Sequence, residues 1–369
     1  MRGAGRSSGG GSAGGAPGEG RGAAHEGRGD ARGGLDDALA HDKTLWLRLA
    51  QHRRTLGLAA RRVLAQKGAL LQGLALRGVP DVSLETLHRL AHGALLAQGA
   101  ESWTSTLLGH TVQRYAFRGT GSGPQVLLLH GLGGSASSMA QLVPALLPIT
   151  PRVVLLELPG HGRSPRPAQG PLSAREHGAV AIACVEQMQR ESGRKVALAG
   201  NSLGGALALF VAHARPDLVA GVAGLNPAGA ELSEEAMRVL PARFPDPAAG
   251  AALMAQLLFH RTPWLFWLVA RDLARGWETD TVQRIIDDAR RGTDRSLGVE
   301  VLTQISAPVL ILWGAQDRLL PRSSVDDFRR LLPHARVELI EGCGHIPQLE
   351  RAGLTRRRVA AFVKSLGAE

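Results

Sequence analysis

The sequence predicts an α/β fold with a mostly parallel sheet and helices on both faces. Short runs of unbroken apolar residues alternate with segments that have the apolar spacing of helices. Strands that are apolar on both faces are typical of parallel sheets, because helices cover such sheets on each side. The chain has 369 residues, 44% of them hydrophobic, which suffices for one large core. The apolar runs are QVLLLH (125–130), RVVLLEL (152–158), KVALAG (195–200), VAGVAGLN (219–226), PVLILWG (308–314) and RVELIEG (336–342).

The beginning of the chain differs in composition from the rest. Residues 1–34 are rich in Gly, Ser, Ala and Arg, which predicts a disordered tail. This stretch lacks the apolar segment of a secretory signal, so we expect a cytoplasmic protein. The two cysteines, Cys184 and Cys343, are too few for a disulfide framework, and no apolar run is long enough to span a bilayer.

Residues 35–100 are predicted to form a helical extension. Apolar residues recur at helical spacing over residues 44–78, and eight Lys or Arg but no Asp or Glu lie between Asp42 and Asp81. Such a basic amphipathic helix either packs on the main domain with its arginines solvated or makes a peripheral contact with an anionic membrane surface. The sequence leaves both interpretations open. A second helix is predicted after PDVS, with four leucines facing inward: Leu84, Leu87, Leu90 and Leu95.

The main domain is predicted to begin near residue 101 and to be interrupted once. TVQRYAFRG (111–119) alternates like a strand in the first part of the core, residues 101–229. Residues 230–300 contain PWLFWLVARDLARGW and break the alternation of strands and helices, which predicts a helical cap. The core resumes over residues 301–369.

A single serine stands among small residues in AGNSLGGALAL (199–209). Residues 200–204 match the pattern Gly-x-Ser-x-Gly between a predicted strand and a predicted helix. This pattern is typical of the nucleophile elbow, a sharp turn that exposes the serine hydroxyl above the strand ends. Larger side chains two positions before and after the serine would collide with neighbouring backbone. The pattern therefore predicts Ser202 as a nucleophile.

A serine needs a general base, and the base needs an orienting group. Asp317 follows the strand PVLILWG, and His345 follows the strand RVELIEG. Both positions lie at the carboxyl ends of strands, where sites form in parallel sheets. The order Ser, Asp, His is that of a triad on this type of fold. We predict that Asp317 orients His345, rather than Glu231 or another acid after the strand VAGVAGLN.

A glycine-rich loop follows the strand QVLLLH. In HGLGG (130–134), this loop is predicted to supply one backbone N–H to an oxyanion hole, and Leu203 the other. Residues 131–136 also match a loose Gly-x-Gly-x-x-Ala dinucleotide fingerprint, with Glu157 ending the next strand. That interpretation leaves Ser202 and its predicted partners unexplained. No Gly-Lys-Ser/Thr follows the loop, which excludes a P-loop.

Residues 110–369 resemble the α/β-hydrolase superfamily. The motifs that carry the resemblance are HGLGG, LPGHGRS, GNSLGG, LNPAG, LWGAQDRLLP and EGCGHIPQLE, and the set looks most like the monoacylglycerol-lipase and bacterial lipase branch. The resemblance implies a triad of Ser202, Asp317 and His345, with Leu132 and Leu203 at the oxyanion hole. It further implies hydrolysis of esters through an acyl-enzyme, which needs no cofactor. His161 in LPGHGRS and Cys343 are interpreted as structural.

Three aromatic residues of the predicted cap are candidates for substrate binding: Trp264, Phe266 and Trp267. They line an apolar acyl pocket or bury the cap against the core, since both environments use the same residue types. An acyl pocket favours esters with apolar acyl chains, such as monoacylglycerols. Two alternatives remain open: a carbon–carbon hydrolase of ring-cleavage dienones, which also has GNS-x-GG, and a catalytically silent fold that binds a ligand or partner.

Other function classes are disfavoured by composition. The formal net charge is +11, but only 4% of residues are aromatic, and no zinc spacing or RNP-like motif is present. We therefore expect no nucleic-acid partner. No His, Asp or Glu cluster has the spacing of metal ligands on one element, so no metal is expected. The sequence leaves the oligomeric state open.

Overall fold

The computed structural model describes residues 83–229, 247–263, 266–267, 270–292 and 298–367. The predicted tail (1–34) and the predicted basic helix (44–78) lie outside these ranges. The strands are β1 (Glu101–Leu107), β2 (His110–Arg118), β3 (Gln125–Leu129), β4 (Arg152–Leu156), β5 (Val196–Asn201), β6 (Val219–Leu225), β7 (Val309–Gly314) and β8 (Arg336–Ile340). The helices are α1 (Leu84–Ala97), α2 (Val143–Leu146), α3 (Ala174–Ser192), α4 (Leu203–Ala214), α5 (Pro247–Leu258), α6 (Ala270–Trp277), α7 (Asp280–Arg291), α8 (Val299–Thr303), α9 (Ser323–Leu331), α10 (Pro347–Glu350) and α11 (Ala352–Ser365).

The eight strands form one sheet in the order β1-β2-β4-β3-β5-β6-β7-β8. β2 is antiparallel to both β1 and β4, and the remaining neighbours are parallel. The predicted mostly parallel α/β architecture is therefore confirmed. β1, which was not predicted as a strand, has the sequence ESWTSTL and is largely solvent-exposed. An exposed antiparallel edge does not need an apolar run, so this strand lacks the signal that the other strands carry.

The sheet is covered on both faces. Alternate strand residues face opposite sides, so Leu127 and Leu129 of β3 pack with α3 and α4, whereas Val126 and Leu128 pack with α2 and α11. Each strand between β4 and β7 divides its side chains between the same two clusters. This double burial explains why these strands are apolar along their whole length.

α1 begins where the sequence predicts it. The Ser83 hydroxyl accepts the Thr86 N–H (3.2 Å), which satisfies one free donor of the first turn. Leu95 is buried, but Leu90 is 63% exposed, so its predicted inward orientation is wrong. Leu90 follows Leu84 by six residues, and six residues turn a helix by about 600°, which is about 120° short of two full turns. Leu90 therefore points about 120° away from the face of Leu84.

Helices α5, α6 and α7, which we call the inserted helices, lie between β6 and β7 in the chain. Their apolar side chains form a third cluster, separate from the two on the faces of the sheet. This cluster includes Leu319 and Ile346 from the loops that follow β7 and β8, and Leu132 from the loop after β3 packs against it. The inserted helices therefore contact the loops at the carboxyl ends of the strands. None of the described helices has the length and apolar character that crossing a membrane requires.

Candidate active site

The turn between β5 and α4 holds Ser202 in an uncommon backbone conformation. Ser202 has φ 53° and ψ −118°, outside the regions that residues with a side chain ordinarily occupy. A Cβ on Gly200 would lie 2.2 Å from the Gly204 carbonyl oxygen, and one on Gly204 would lie 2.2 Å from the Leu129 carbonyl oxygen. Only glycine fits at either position, as the sequence predicts. The Ser202 side chain does not cap α4, although Ser202 precedes the helix.

Backbone hydrogen bonds hold this turn in place. The Ser202 N–H donates to the Leu225 carbonyl (3.0 Å), and the Ser202 carbonyl accepts the N–H groups of Ala206 (3.0 Å) and Ala228 (3.1 Å). A strained residue persists only where its surroundings fix it, and strain of this kind is concentrated at functional sites. The turn is thus rigidly attached to β6 and to the residues that follow it.

Asn201 connects the turn to the loop that carries His345. Its side-chain amide donates to the Leu225 carbonyl (2.9 Å) and to the His345 carbonyl (3.1 Å). On the other side, a Cβ on Gly131 would lie 3.3 Å from Asn201 Oδ1 and 3.4 Å from Ser202 Cβ. The structure therefore brings together the loops after β3, β5 and β8 around Ser202.

His345 and Asp317 form a buried pair. His345 Nδ1 lies 2.8 Å from Asp317 Oδ2, and the two side chains are 2% and 1% exposed. Asp317 also accepts three other hydrogen bonds: from Asn226 Nδ2 (2.6 Å) and from the N–H groups of Leu319 (2.8 Å) and Leu320 (3.0 Å). An ionised carboxylate is acceptor-only, which matches four donors around it.

This arrangement fixes the tautomer of His345. Because Asp317 accepts at Nδ1, a neutral imidazole places its proton there and leaves its lone pair on Nε2. Nε2 is buried and has no hydrogen-bond partner among the described residues. His345 can therefore accept a proton at Nε2 while Asp317 stabilises the resulting imidazolium.

The loop after β3, residues 130–136, which we call the glycine loop, approaches Ser202 from the other side. Gly133 has φ +67°, and the Gly134 N–H closes a turn onto the Gly131 carbonyl (3.0 Å). A Cβ on Gly133 would lie 3.6 Å from the Trp277 ring and 3.8 Å from Val282, so the inserted helices pack on this loop. Leu203 is the first residue of α4, where backbone N–H groups have no intrahelical partner.

Glu157 and His130 tie the glycine loop to the loop after β4. The Glu157 carboxylate accepts the N–H groups of Ala136 (3.2 Å) and Arg163 (2.6 Å), and burial raises its pKa to about 7. His130 Nε2 accepts the Leu158 N–H (3.1 Å), so its Nδ1–H donates to the Gly131 carbonyl (2.8 Å). The Glu157 carboxylate is occupied by the chain's own backbone, which disfavours the dinucleotide interpretation.

His130 belongs to a buried row of three histidines, which we call the histidine cluster. The His161 ring lies 5.2 Å from the His130 ring and 5.7 Å from the His177 ring, centroid to centroid. His161 Nδ1 contacts the Pro159 carbonyl (3.1 Å), and both ring nitrogens of His177 contact backbone carbonyls. Burial lowers the pKa of all three rings, to about 4 for His130.

Comparison with known proteins identifies the family. Residues 126–358 match the alpha/beta hydrolase family, which is more than half of the chain. This chain belongs to that family. It is 30% identical over 284 residues to the dihydrolipoyllysine-residue acetyltransferase component of an acetoin cleaving system of Pseudomonas putida, covering 74% of this chain and 72% of the relative. It is 26% identical over 296 residues to a 2-hydroxy-6-oxononadienedioate/2-hydroxy-6-oxononatrienedioate hydrolase of Cupriavidus pinatubonensis, covering 73% and 97%.

Comparison with solved structures also identifies the α/β-hydrolase fold. The crystal structure of a bacterial membrane phospholipase A superposes with a TM-score of 0.65 and 26% sequence identity, covering 84% of this chain and all of that one. The sheet of this hydrolase, with its helices on both faces, is thus shared with an enzyme whose name refers to phospholipids.

The three aromatic candidates for substrate binding in this hydrolase have different outcomes. Trp264 lies outside the described residues. Phe266 is buried in the apolar cluster of the inserted helices, with its ring 5.0 Å from Phe259 and 6.0 Å from Trp267. Trp267 is 38% exposed. Phe266 therefore packs within the insertion. Of the two described candidates, Trp267 is the one whose side chain is accessible to a substrate.

Two residues that contact the site were not predicted. Asn226, in LNPAG, has φ 43°, donates to Asp317 and accepts the Gly314 N–H (3.0 Å). Glu350 accepts three backbone N–H groups near His345. Asn226 directly follows a predicted strand and lies in the motif LNPAG, so the sequence contained a signal for it. The sequence contained no such signal for Glu350.

Cys343 is buried, which raises its thiol pKa to about 12. Within the described ranges, no three His, Cys, Asp or Glu side chains are grouped as metal ligands.

Proposed function

We propose that this hydrolase cleaves carboxylic esters with apolar acyl chains, with Ser202 as nucleophile. One observation carries the proposal: His345 is held at Nδ1 by a buried carboxylate, and its buried Nε2 has no hydrogen-bond partner in the part of the chain that the structure describes. The residue before Ser202 donates a hydrogen bond to the backbone of His345, which supports a common site. A histidine so oriented is suited to remove a proton from a serine hydroxyl.

The first half of the reaction forms an acyl-enzyme. Ser202 Oγ attacks the ester carbonyl carbon while its proton moves to His345 Nε2. The carbonyl oxygen becomes an oxyanion, which the N–H groups of Leu132 and Leu203 stabilise. When the tetrahedral intermediate collapses, the bond to the alkoxy oxygen breaks and His345 donates its proton to the departing alcohol.

The second half restores the enzyme. Water takes the place of the alcohol and transfers a proton to His345 Nε2 as its oxygen attacks the acyl carbon. The bond between the acyl carbon and Ser202 Oγ then breaks, and the proton returns to the serine oxygen as the carboxylic acid leaves. In both halves Asp317 accepts the hydrogen bond from His345 Nδ1 and stabilises the imidazolium, while Asn226 and the N–H groups of Leu319 and Leu320 hold its carboxylate in place.

The apolar cluster of the inserted helices supports the choice of acyl chain. It unites α5, α6 and α7 with Leu132 of the glycine loop, Leu319 near Asp317 and Ile346 beside His345. An acyl chain beside these loops meets aliphatic and aromatic side chains, and burial stabilises each methylene by about 0.8 kcal/mol. The likeness to a membrane phospholipase A adds support for a lipid-type ester.

Substitution of Ser202 tests the nucleophile. Ser202→Ala is expected to lower the turnover of 4-nitrophenyl esters by about 10⁴-fold or more with an unchanged melting temperature. Ser365→Ala, at an exposed position of α11, is the matched control and is expected to retain full turnover. Turnover by folded Ser202→Ala at the level of the control would refute the proposal.

A series of acyl chains tests the substrate class. Between acetyl and octanoyl esters, kcat/KM is expected to rise several-fold for each added pair of methylenes, until the pocket is full. Trp267→Ala is expected to reduce that rise and to leave acetyl ester hydrolysis intact. A flat or falling series contradicts the assignment to apolar acyl chains.

A carbon–carbon hydrolase is the second candidate, favoured by the likeness to the Cupriavidus pinatubonensis hydrolase over 97% of that relative. The same nucleophile, base and oxyanion hole would serve a ketone substrate with a dienol leaving group. Parallel assays with a ring-cleavage dienone and with octanoyl ester discriminate the two. Turnover of the dienone with poor turnover of every ester would select the carbon–carbon hydrolase.

A further inference from the structure

Glu350, at the end of α10, holds together two segments that are distant in the chain. Its Oε2 accepts the N–H groups of Gly344 (2.7 Å) and His260 (3.1 Å), and its Oε1 accepts the N–H of Arg261 (2.6 Å). Gly344 immediately precedes His345, whereas His260 and Arg261 follow the end of the inserted helix α5. One carboxylate thus joins the loop of His345 to the insertion.

The same two segments also touch without any side chain between them. The His345 N–H donates to the carbonyl of Leu258, the last residue of α5 (2.9 Å). A Cβ on Gly344 would lie 2.7 Å from both the His260 nitrogen and the Leu258 carbonyl oxygen, so only glycine allows this approach. On the other side of His345, Ile346 belongs to the apolar cluster of the inserted helices. The backbone on both sides of His345 therefore packs against the insertion.

From these contacts we propose that Glu350 is a positioning residue, which fixes His345 by tying its loop to residues 258–261. This inference rests on the proposed function, because it assigns Glu350 a role only if His345 is the general base. Glu350 itself lies outside the reacting groups: its three hydrogen bonds all go to backbone N–H groups.

A carboxylate suits this role better than the isosteric amide. Two oxygens with full acceptor capacity meet three N–H donors, and hydrogen bonds to an ionised acceptor are about twice as strong as neutral ones. A glutamine would turn its NH₂ group toward at least one of these donors. Arg351, the next residue, also holds the loop of His345 in place. Its Nε–H donates to the carbonyl of Gly342 (3.0 Å), a glycine with φ +65°.

The expected consequence is a loss in kcat that is independent of the substrate. A displacement of about 1 Å in a proton-accepting group costs on the order of 100-fold in rate, whereas it leaves ground-state binding of the ester unchanged. A role in shaping the acyl pocket would have a different signature, because KM would then rise for long acyl chains and stay constant for acetyl esters.

The experiment compares Glu350→Gln with Glu176→Gln in the full chain. Glu176 is a matched control because its carboxylate also accepts a backbone N–H, that of Ser173 (2.7 Å), at the start of α3. For Glu350→Gln, kcat is expected to fall by about 10- to 100-fold on both acetyl and octanoyl esters, with each KM within about twofold of wild type. Melting temperatures of the two variants are expected to fall by similar amounts.

Two results would overturn the positioning role: a kcat for Glu350→Gln equal to that of Glu176→Gln, or an effect confined to the KM of the octanoyl ester. If Glu350→Gln fails to fold, Glu350→Asp is assayed with the same criteria, since it keeps the charge and shortens the reach. Failure of the proposed function is distinguishable, because the wild-type chain would then hydrolyse neither ester.

Discussion

His345 and the three rings of the histidine cluster are all buried, but these two groups differ in what contacts their ring nitrogens. His345 contacts a carboxylate at Nδ1, and its Nε2 has no hydrogen-bond partner within the described ranges. In the histidine cluster, His130 uses one nitrogen to donate to a carbonyl and the other to accept an N–H, and His177 contacts carbonyls at both. His161 Nε2 also lacks a hydrogen-bond partner among the residues that the structure describes, but its Nδ1 contacts a carbonyl rather than a carboxylate.

We propose that this difference separates a catalytic base from a structural histidine. In the proposed mechanism, the carboxylate at Nδ1 stabilises the imidazolium that forms when His345 takes the serine proton. Backbone carbonyls alone, inside a buried site, leave the charged form poorly stabilised, which agrees with the lowered pKa of His130, His161 and His177. Burial is common to both groups; the partner of Nδ1 distinguishes them.

The largest expected effect is that of His345→Gln. Because the variant lacks the proposed base for Ser202, kcat for the octanoyl ester is expected to fall by about 10⁴-fold or more. His177→Gln is the matched control, since glutamine can donate to the same carbonyls with its NH₂ group. The control is expected to lose melting temperature but to keep kcat within about threefold of wild type, measured by ester turnover and circular dichroism. Equal losses of kcat in both variants would erase the distinction between the two groups.

Asp317→Asn is expected to have a somewhat smaller effect. The asparagine NH₂ would face Nδ1 and favour the tautomer with its proton on Nε2, which lowers kcat by about 10³- to 10⁴-fold. Asp326→Asn, at an exposed aspartate that pairs with Arg329 on α9, serves as the control and is expected to retain full activity. If Asp317→Asn hydrolyses the ester as fast as this control, Asp317 is not the group that orients His345.

The histidine cluster is expected to make the fold sensitive to acid. Its three rings have pKa values below the ordinary 6.5 in the folded state, about 4 for His130, so the unfolded chain binds more protons between about pH 4 and 6.5. Their contribution to stability is present above pH 6.5 and is lost as the pH falls. Glu157 acts in the opposite sense between about pH 4.5 and 7, because burial raises its pKa to about 7 and the folded state then holds the extra proton.

Because three histidines oppose one glutamate, we expect the histidines to determine how the free energy of unfolding depends on pH. The free energy of unfolding is expected to decrease on acidification, by up to about 1.4 kcal/mol per pH unit for each uncompensated proton. Urea unfolding at pH 7, 6 and 5 measures this slope, and His177→Gln is expected to reduce it. A free energy of unfolding that is constant or rises toward pH 5 contradicts this assignment.

The fold was predictable wherever burial leaves a pattern in the sequence. Strands β3 to β7 are covered by helices on both faces, so each has an apolar run. β1 is an exposed edge whose side chains need no apolar pattern, and it was missed. The predicted inward orientation of Leu90 was wrong, because residues spaced by three shift progressively around a helix. Only the packing of α1 shows which of its faces is covered.

The site was predictable where local geometry demands particular residues. Gly200 and Gly204 are required by the close approach of backbone around Ser202, and this requirement appears directly in the sequence. The contacts of Asn226 with Asp317 and of Glu350 with His260 join residues 91 and 90 positions apart in the chain. Such pairs are brought together by the sheet, and nothing in the local sequence of Glu350 indicates its partners.

The proposed reaction depends on Ser202 as a nucleophile that His345 activates. Labelling with a fluorophosphonate, followed by mass spectrometry of the digested protein, tests it most directly. We expect a single covalent adduct on the peptide that contains Ser202. This adduct should be absent in Ser202→Ala and should form at least 100-fold more slowly in His345→Gln than in His177→Gln. No adduct on the folded wild-type protein, or an adduct on another residue, would contradict it.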